Sequence, residues 1–491
     1  GADVYSLYRR RGRTRGSGNL LCKVWPERRG YRITRGTFVT NTPAITWTRV
    51  LKISGISLLT LVIANRLVRW IDLHAVDIDR PPYWPVGVFE PIVPTLWRVC
   101  VAAVCFFVGW CAYAGLQRRG NRIVEVILVG LALVLGTNLI QGWDGAFVTP
   151  IAGAPGGEAI QYYHDAVSVT DRWHFFAHYT EVQAGLKDHA RSHPPGAVLS
   201  IYFLNKLLGN PAAISLAIAT LSVTLTGLIV HWILVLQLRC RNVERAESLG
   251  GDSTLLSLLL PAIQIYPCAS LDALIVPAMF GAAVLLVHKR PVVAILGSAL
   301  CLFAASMLTF ATFFAPCIMF TFEWNRTKHL GRSIAAVLIA VSAWVAIGVT
   351  TQFDYLDSFD IAKKIENPDG FRLLSDSMSY LFTRVECVVE IALFFSPVLC
   401  LLLVCGLRKP VLKRDRIVSL TRIALWALAL LFTTGAFHTA ETARACLFIY
   451  PFLMPAIVAG LDGADARQRR LVAMSVFGQS VLMQLAGSYF W

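Results

Sequence analysis

IVEVILVGLALVLGTNLIQG, residues 123–142, is a run of twenty residues with a single charge, Glu125. A helix of that length rises about 30 Å, enough to cross the hydrocarbon of a bilayer. The run does not alternate between apolar and polar positions, as the strands of a membrane barrel do. It therefore reads as a spanning helix. Comparable runs recur from residue 52 onward, at 52–69, 96–116, 211–238, 253–266, 271–287, 292–307, 309–323, 333–351, 385–406, 417–435, 446–462 and 471–487. The expectation is an all-α polytopic membrane protein with about 13 transmembrane helices. Composition agrees, with 56% hydrophobic and only 15% charged residues, where soluble domains carry about a quarter charged.

The net charge of +15 follows topology rather than a nucleic-acid surface. Lys and Arg gather in short links such as Arg118/Arg119/Arg122, Arg239/Arg241/Arg245, Arg326/Lys328/Arg332 and Arg467/Arg469/Arg470. Each falls where every second connection faces the cytosol, which fixes the orientation by the positive-inside rule. Residues 1–50 hold eleven Lys and Arg against Asp3 and Glu27, and read as a basic cytoplasmic arm. That arm either rests on anionic lipid, meets a partner in a membrane complex, or only enforces topology. No removable signal peptide is expected, since the first apolar run starts near residue 52. The twelve cysteines lie mostly inside apolar runs without CxxC spacing, and read as small packing residues.

Beyond residue 142 the chain turns polar as far as Gly196. This loop holds five of the ten histidines (His164, His174, His178, His189 and His193) and six acids (Asp144, Glu158, Asp165, Asp171, Glu181 and Asp188). With a cytoplasmic N-terminus it lies outside, together with 70–95, 352–384 and 436–445. After the breaker at 153–157, Glu158, Tyr162 and Asp165 share one face at i, i+4 and i+7 if the stretch is helical. Carboxylates beside a tyrosine suit general-base work on a hydroxyl, or ion pairs that hold the loop. Pro194-Pro195 stiffen the chain ahead of a helix, 197–208, too short to span. They set where Arg191 and His193 point, and Arg grips phosphate oxygens well. No metal centre is assigned: His174/His178 and His189/His193 are i, i+4 pairs without a clear third ligand, so a divalent metal stays open as a cofactor.

Taken together, Glu158-Ala-Ile-Gln-Tyr162, the later His193-Pro-Pro-Gly196 turn and the multi-span body resemble the GT-C glycosyltransferases. The nearest branch is that of the protein O-mannosyltransferases and lipid A aminoarabinose transferases, which carry Asp-Glu-x-x-Tyr and His-x-Pro at these places. Leu260-Pro261 with Ser270-Leu271-Asp272 resembles their helical hairpin, Ala305–Thr309 their broken hairpin, and Glu441-Thr-Ala-Arg444 before Tyr450-Pro451 the acid and Arg preceding their final helices. In this chain the leading Asp is Glu158, the second acid is Ala159, and the Lys of the broken hairpin is missing.

The resemblance implies a GT-C-like body over 123–465 with its catalytic loop at 143–196. It follows two extra spans within 51–122 and precedes a C-terminal helix in 466–491. It implies inverting transfer of a sugar from a polyprenyl-phosphate donor to a glycan, lipid or protein acceptor on the non-cytoplasmic face of a bacterial inner membrane or the endoplasmic reticulum. The implied catalytic acid is Glu158, with Asp165 and Asp144 as alternatives. Tyr162, His164, Arg191, His193, Asp272, Glu441 and Arg444 are the implied substrate-binding residues. Two other functions remain open: a non-catalytic scaffold subunit, and a lipid or solute transporter, for which the broken 292–323 stretch and the acids Glu386 and Glu390 within an apolar run are suited.

Overall fold

The computed structural model describes residues 46–75, 77–78, 80–154, 161–239, 243–408, 416–435 and 441–489. Residues 1–45 of the basic arm, and Glu158, lie outside the described residues, while the last residues of the arm begin the helix Trp47–His74. The protein is an all-helical, multi-pass membrane protein. Six described helices are long and apolar enough to cross a bilayer: Trp47–His74, Leu96–Arg119, Ile123–Gln141, Pro211–Leu238, Pro291–Leu308 and Gly331–Thr351. A bent pair, Ser377–Phe395 and Pro397–Arg408, brings the number to seven if it counts as one span. Shorter apolar helices lie among them at Pro195–Leu208 and Asp272–Val287 and after them at Ile417–Thr433 and Leu447–Gly460.

Local chemistry sets the ends. The Thr46 and Thr95 hydroxyls accept from the N–H groups of Arg49 and Arg98 and so cap their helices. Pro195 opens the 195–208 helix, and Gly209 closes it in the left-handed conformation, φ 65°. That helix ends where the sequence places a short, non-spanning one. The expected break near residue 308 is also present. Thr309 is extended, its hydroxyl accepts from Ala311 N–H at 3.1 Å, and a new helix runs from Phe314 to Thr327.

Two expected spans are interrupted. The 253–266 run is not one helix: a helix covers Val243–Leu258, and a separate turn starts at Pro261. Proline has no N–H to continue the ladder and holds Leu260 extended, at ψ 138°. The 385–406 run is likewise cut, with a bend of 97°. Pro397 excludes helical geometry at Ser396, which takes φ 93°.

The connections sort to two ends. At one end, the Asn121 amide reaches Ser248 O and Asp252, Arg469 donates to Asp252 at 2.7 Å, and Gln117 donates to Ala466 O. Arg326 and Arg332 both donate to Leu286 O, clamping the turn before residue 291. At the other end gather the 143–196 loop, the turn before Asp272, the 355–366 helix and the segment starting at Glu441. The 70–95 connection closes there too, in a two-residue antiparallel pair of Glu90–Pro91 with Gly487–Ser488. The last helix, Ala466–Ala486, packs on Leu96–Arg119, with Phe106 stacked on Phe477 and Gly109 leaving room for that ring.

Candidate functional site

The site is built from four stretches distant in sequence. Arg444 is its centre, 6% exposed, in the short helix Thr442–Ala445. Its Nε lies 3.3 Å from Asp272 Oδ2, and Nη2 contacts Glu441 Oε2 closely. Both Nη atoms lie 3.3 Å from His189 Nε2. A guanidinium only donates, so His189 Nε2 accepts and its ring is the neutral Nδ1–H tautomer. Burial, then the neighbouring Arg444 charge, holds that imidazole well below its usual range. Asp272 opens the 272–284 helix, and the Ser270 hydroxyl orients it by donating to Oδ2 at 2.7 Å.

His193 stands on the other side of Asp272, with Nε2 4.0 Å from Oδ1. Its Nδ1 donates to His189 O at 2.8 Å, which leaves Nε2 directed at the acid. Burial lowers the His193 pKa, and Asp272 opposes the shift. Tyr162, 4% exposed, closes the group with its ring edge-on to His193 and tilted over His189. Burial and the Asp272 charge push its phenol well above the usual range.

One cation facing two carboxylates leaves an excess negative charge in a dry place. Glu441 carries the consequence. Burial pushes its carboxyl up to about 8, against the pull of Arg444.

The loop is braced so that the two histidines stay put. The buried Tyr179 hydroxyl bridges Ala190 O at 2.8 Å and His193 O at 2.6 Å. Gln183, fully buried, donates to Arg191 O and Ser358 O and accepts from the Ser358 hydroxyl. These bonds tie the loop to the 355–366 helix. Phe176, Tyr179 and Phe353 pack at the same junction, with Trp344 beside them.

Several expected site residues lie elsewhere. The shared face of Glu158, Tyr162 and Asp165 is not formed between the latter two: helix starts only at Tyr163, after Tyr162 has turned into the cluster. Asp165 Oδ2 instead accepts from Lys187 N–H at 3.0 Å, and burial raises its pKa against that bond. Arg191 pairs with Asp188 at 2.7 Å, half-exposed, rather than with an acid of the cluster. His164 is exposed with Nε2 2.8 Å from Ala152 O, and Asp144 is exposed in the turn after residue 143.

Two residues of the site carried no signal of their own in the sequence. His189 stood out only as one loop histidine among five and as the i, i+4 partner of His193. Glu366, at the end of the 355–366 helix, acts electrostatically on both His193 and Glu441. Among the described residues no three His, Cys, Asp or Glu side chains are grouped to hold a metal. His189 and His193 both turn toward protein partners, Arg444 and Asp272.

No protein-family model matches the chain, and neither a curated protein nor a solved structure is significantly similar to it.

Proposed function

We propose that the chain is a GT-C-like membrane glycosyltransferase. It moves a sugar from a polyprenyl-phosphate donor to an acceptor hydroxyl on the non-cytoplasmic face, with inversion. The observation that carries this reading is the buried Arg444, held by Asp272 and Glu441 and covered by Tyr162, His189 and His193 from the loop. Four of these residues, Tyr162, His193, Asp272 and Arg444, belong to separate motifs of the resemblance. Their convergence at one end of the bundle supports a shared site. The basic links at the opposite end support a non-cytoplasmic placement of that site.

In the reaction, the acceptor oxygen attacks C1 of the sugar as the C1–O bond to phosphate breaks. The acceptor proton passes to a carboxylate, and polyprenyl phosphate leaves with the bonding electrons. Arg444 stabilises the charge that grows on the departing phosphate. Arg191, on the His189–His193 turn of the loop, is the second cation proposed to meet the phosphate. Glu158, four positions before Tyr162, is the proposed base, with Asp165 and Asp144 as the other loop acids. A carboxylate ionised at neutral pH performs this step without special tuning.

The test is release of polyprenyl phosphate by purified protein in nanodiscs, from radiolabelled polyprenyl-phosphate mannose and polyprenyl-phosphate aminoarabinose. Release that is lost in Arg444→Ala supports the reading. Equal release by wild type and Arg444→Ala removes Arg444 from the site and the reading with it.

A further inference from the structure

Asp272 meets its partners through one carboxylate oxygen. The Ser270 hydroxyl donates to Oδ2 at 2.7 Å, and Arg444 Nε lies 3.3 Å from the same atom. The Asp272 N–H donates back to the Ser270 hydroxyl at 3.1 Å, which fixes how the side chain leaves the helix. Oδ1 has no hydrogen-bond donor among the described residues, and it faces His193 Nε2 at 4.0 Å.

That nitrogen is an acceptor too. A carbonyl oxygen only accepts, so the 2.8 Å contact with His189 O puts the ring proton of His193 on Nδ1. Nε2 keeps its lone pair while the imidazole is neutral, and burial, which lowers the His193 pKa, favours that state. The ring is held in place: the Tyr179 hydroxyl donates to His193 O at 2.6 Å, and Tyr162 stands edge-on to it with centroids 5.4 Å apart. Two acceptors thus face each other, each short of a donor. Neither side chain is sealed, at 19% exposure for His193 and 8% for Asp272.

We propose that His193 Nε2 and Asp272 Oδ1 are a paired acceptor site for two adjacent hydroxyls of a sugar, one proton given to each atom. This rests on the sugar-transfer reading and concerns the donor sugar rather than its phosphate. A phosphodiester has no proton to offer either atom, and a lone hydroxyl has one proton for two acceptors. Adjacent ring hydroxyls stand roughly one hydrogen-bond length apart, about 2.8 Å, and supply one proton each to acceptors so spaced. Placement agrees. The other oxygen of Asp272 is the one beside Arg444, so a phosphate at the guanidinium and the sugar joined to it fall on neighbouring atoms of one side chain. The pair selects sugars that keep both hydroxyls, because loss of either leaves a largely buried acceptor unpaired.

The experiment is competition binding to the full-length protein in nanodiscs. Radiolabelled polyprenyl-phosphate mannose and polyprenyl-phosphate aminoarabinose are the parent lipids, each displaced by its own series of analogues lacking one hydroxyl. In wild type, removal of either of two adjacent hydroxyls is expected to weaken binding about tenfold or more, and removal of any other far less. His193→Phe keeps a ring in place and removes Nε2. In that variant one of the two deletions is expected to cost nothing further, while the other keeps its full effect. A wild-type series in which no adjacent pair matters overturns the assignment, and it needs no variant to fold. A pair whose costs are both unchanged in His193→Phe overturns it as well. A wild type that binds neither parent lipid instead fails the sugar-transfer reading.

Discussion

Arg444 Nε lies 3.3 Å from Asp272 Oδ2, with both side chains 8% exposed. This contact joins the segment before the 450–460 helix to the first residue of the 272–284 helix. Removing one partner leaves the other charged and dry. Arg444→Ala should therefore cost about 3–5 kcal/mol of stability. Replacing all three members, Arg444→Met with Asp272→Asn and Glu441→Gln, should recover most of that loss, because no uncompensated charge remains. Thermal unfolding in detergent measures both. A single variant as stable as wild type would show that the pair holds nothing together.

Tyr179 is the second point where one atom sets the site. Its hydroxyl serves two buried carbonyls, Ala190 O and His193 O. Tyr179→Phe keeps the ring between Phe176 and Phe353 but strips those carbonyls of their donor, at about 1–3 kcal/mol. The same change should lower turnover, since His189 and His193 lose their fixed position, while global unfolding stays cooperative. Unchanged turnover with lowered stability would limit Tyr179 to packing.

The pH dependence of stability has two opposed arms. Glu441 has a folded pKa near 8, above an unfolded value near 4.5. Between them the folded state holds the extra proton, so stability falls as pH rises through this window, by at most about 1.4 kcal/mol per unit. His189 has a folded pKa well below 6.5, so the unfolded state binds the extra proton and stability falls as pH drops below about 6.5. The unfolding midpoint of wild type should thus change little just below pH 6.5, where the two slopes oppose each other, and decline from there toward pH 8. Glu441→Gln should flatten the alkaline arm and leave the acid arm in place. A decline above pH 6.5 that survives in Glu441→Gln would assign it to another group.

The helices were legible because lipid-facing length and hydropathy leave little choice of secondary structure. The sequence also pointed to the break at Thr309 and the short 195–208 helix. The turn at Leu260-Pro261 was read through the resemblance to a helical hairpin, whereas the interruption at Pro397 was missed because it lies within an apolar stretch that composition alone reads as continuous. Of the site, Asp272, Glu441, Arg444, Tyr162 and His193 were singled out through motif order, and these are the residues the fold brings together. His189 and Glu366 were not, because their importance comes from tertiary neighbours. Asp165 and Arg191 carry the right chemistry, but a backbone N–H and a near neighbour, Asp188, engage them first.

The proposed reaction is sugar transfer from a lipid phosphate with a loop carboxylate as base. Its most direct test is turnover in proteoliposomes with radiolabelled polyprenyl-phosphate sugars presented to the face bearing the 143–196 loop. Glu158→Gln, Asp165→Asn and Asp144→Asn are run beside wild type, with the anomer of the product determined. The expected result is an inverted product and a fall of at least ~10²-fold in Glu158→Gln, the low end for loss of a general base. Donor binding should stay intact in that variant, and Asp165→Asn and Asp144→Asn should keep most of their turnover. Full turnover by Glu158→Gln with activity lost in either aspartate variant would move the base to that residue. A wild type that neither binds nor turns over any polyprenyl-phosphate sugar, on either face, would rule out this transferase activity.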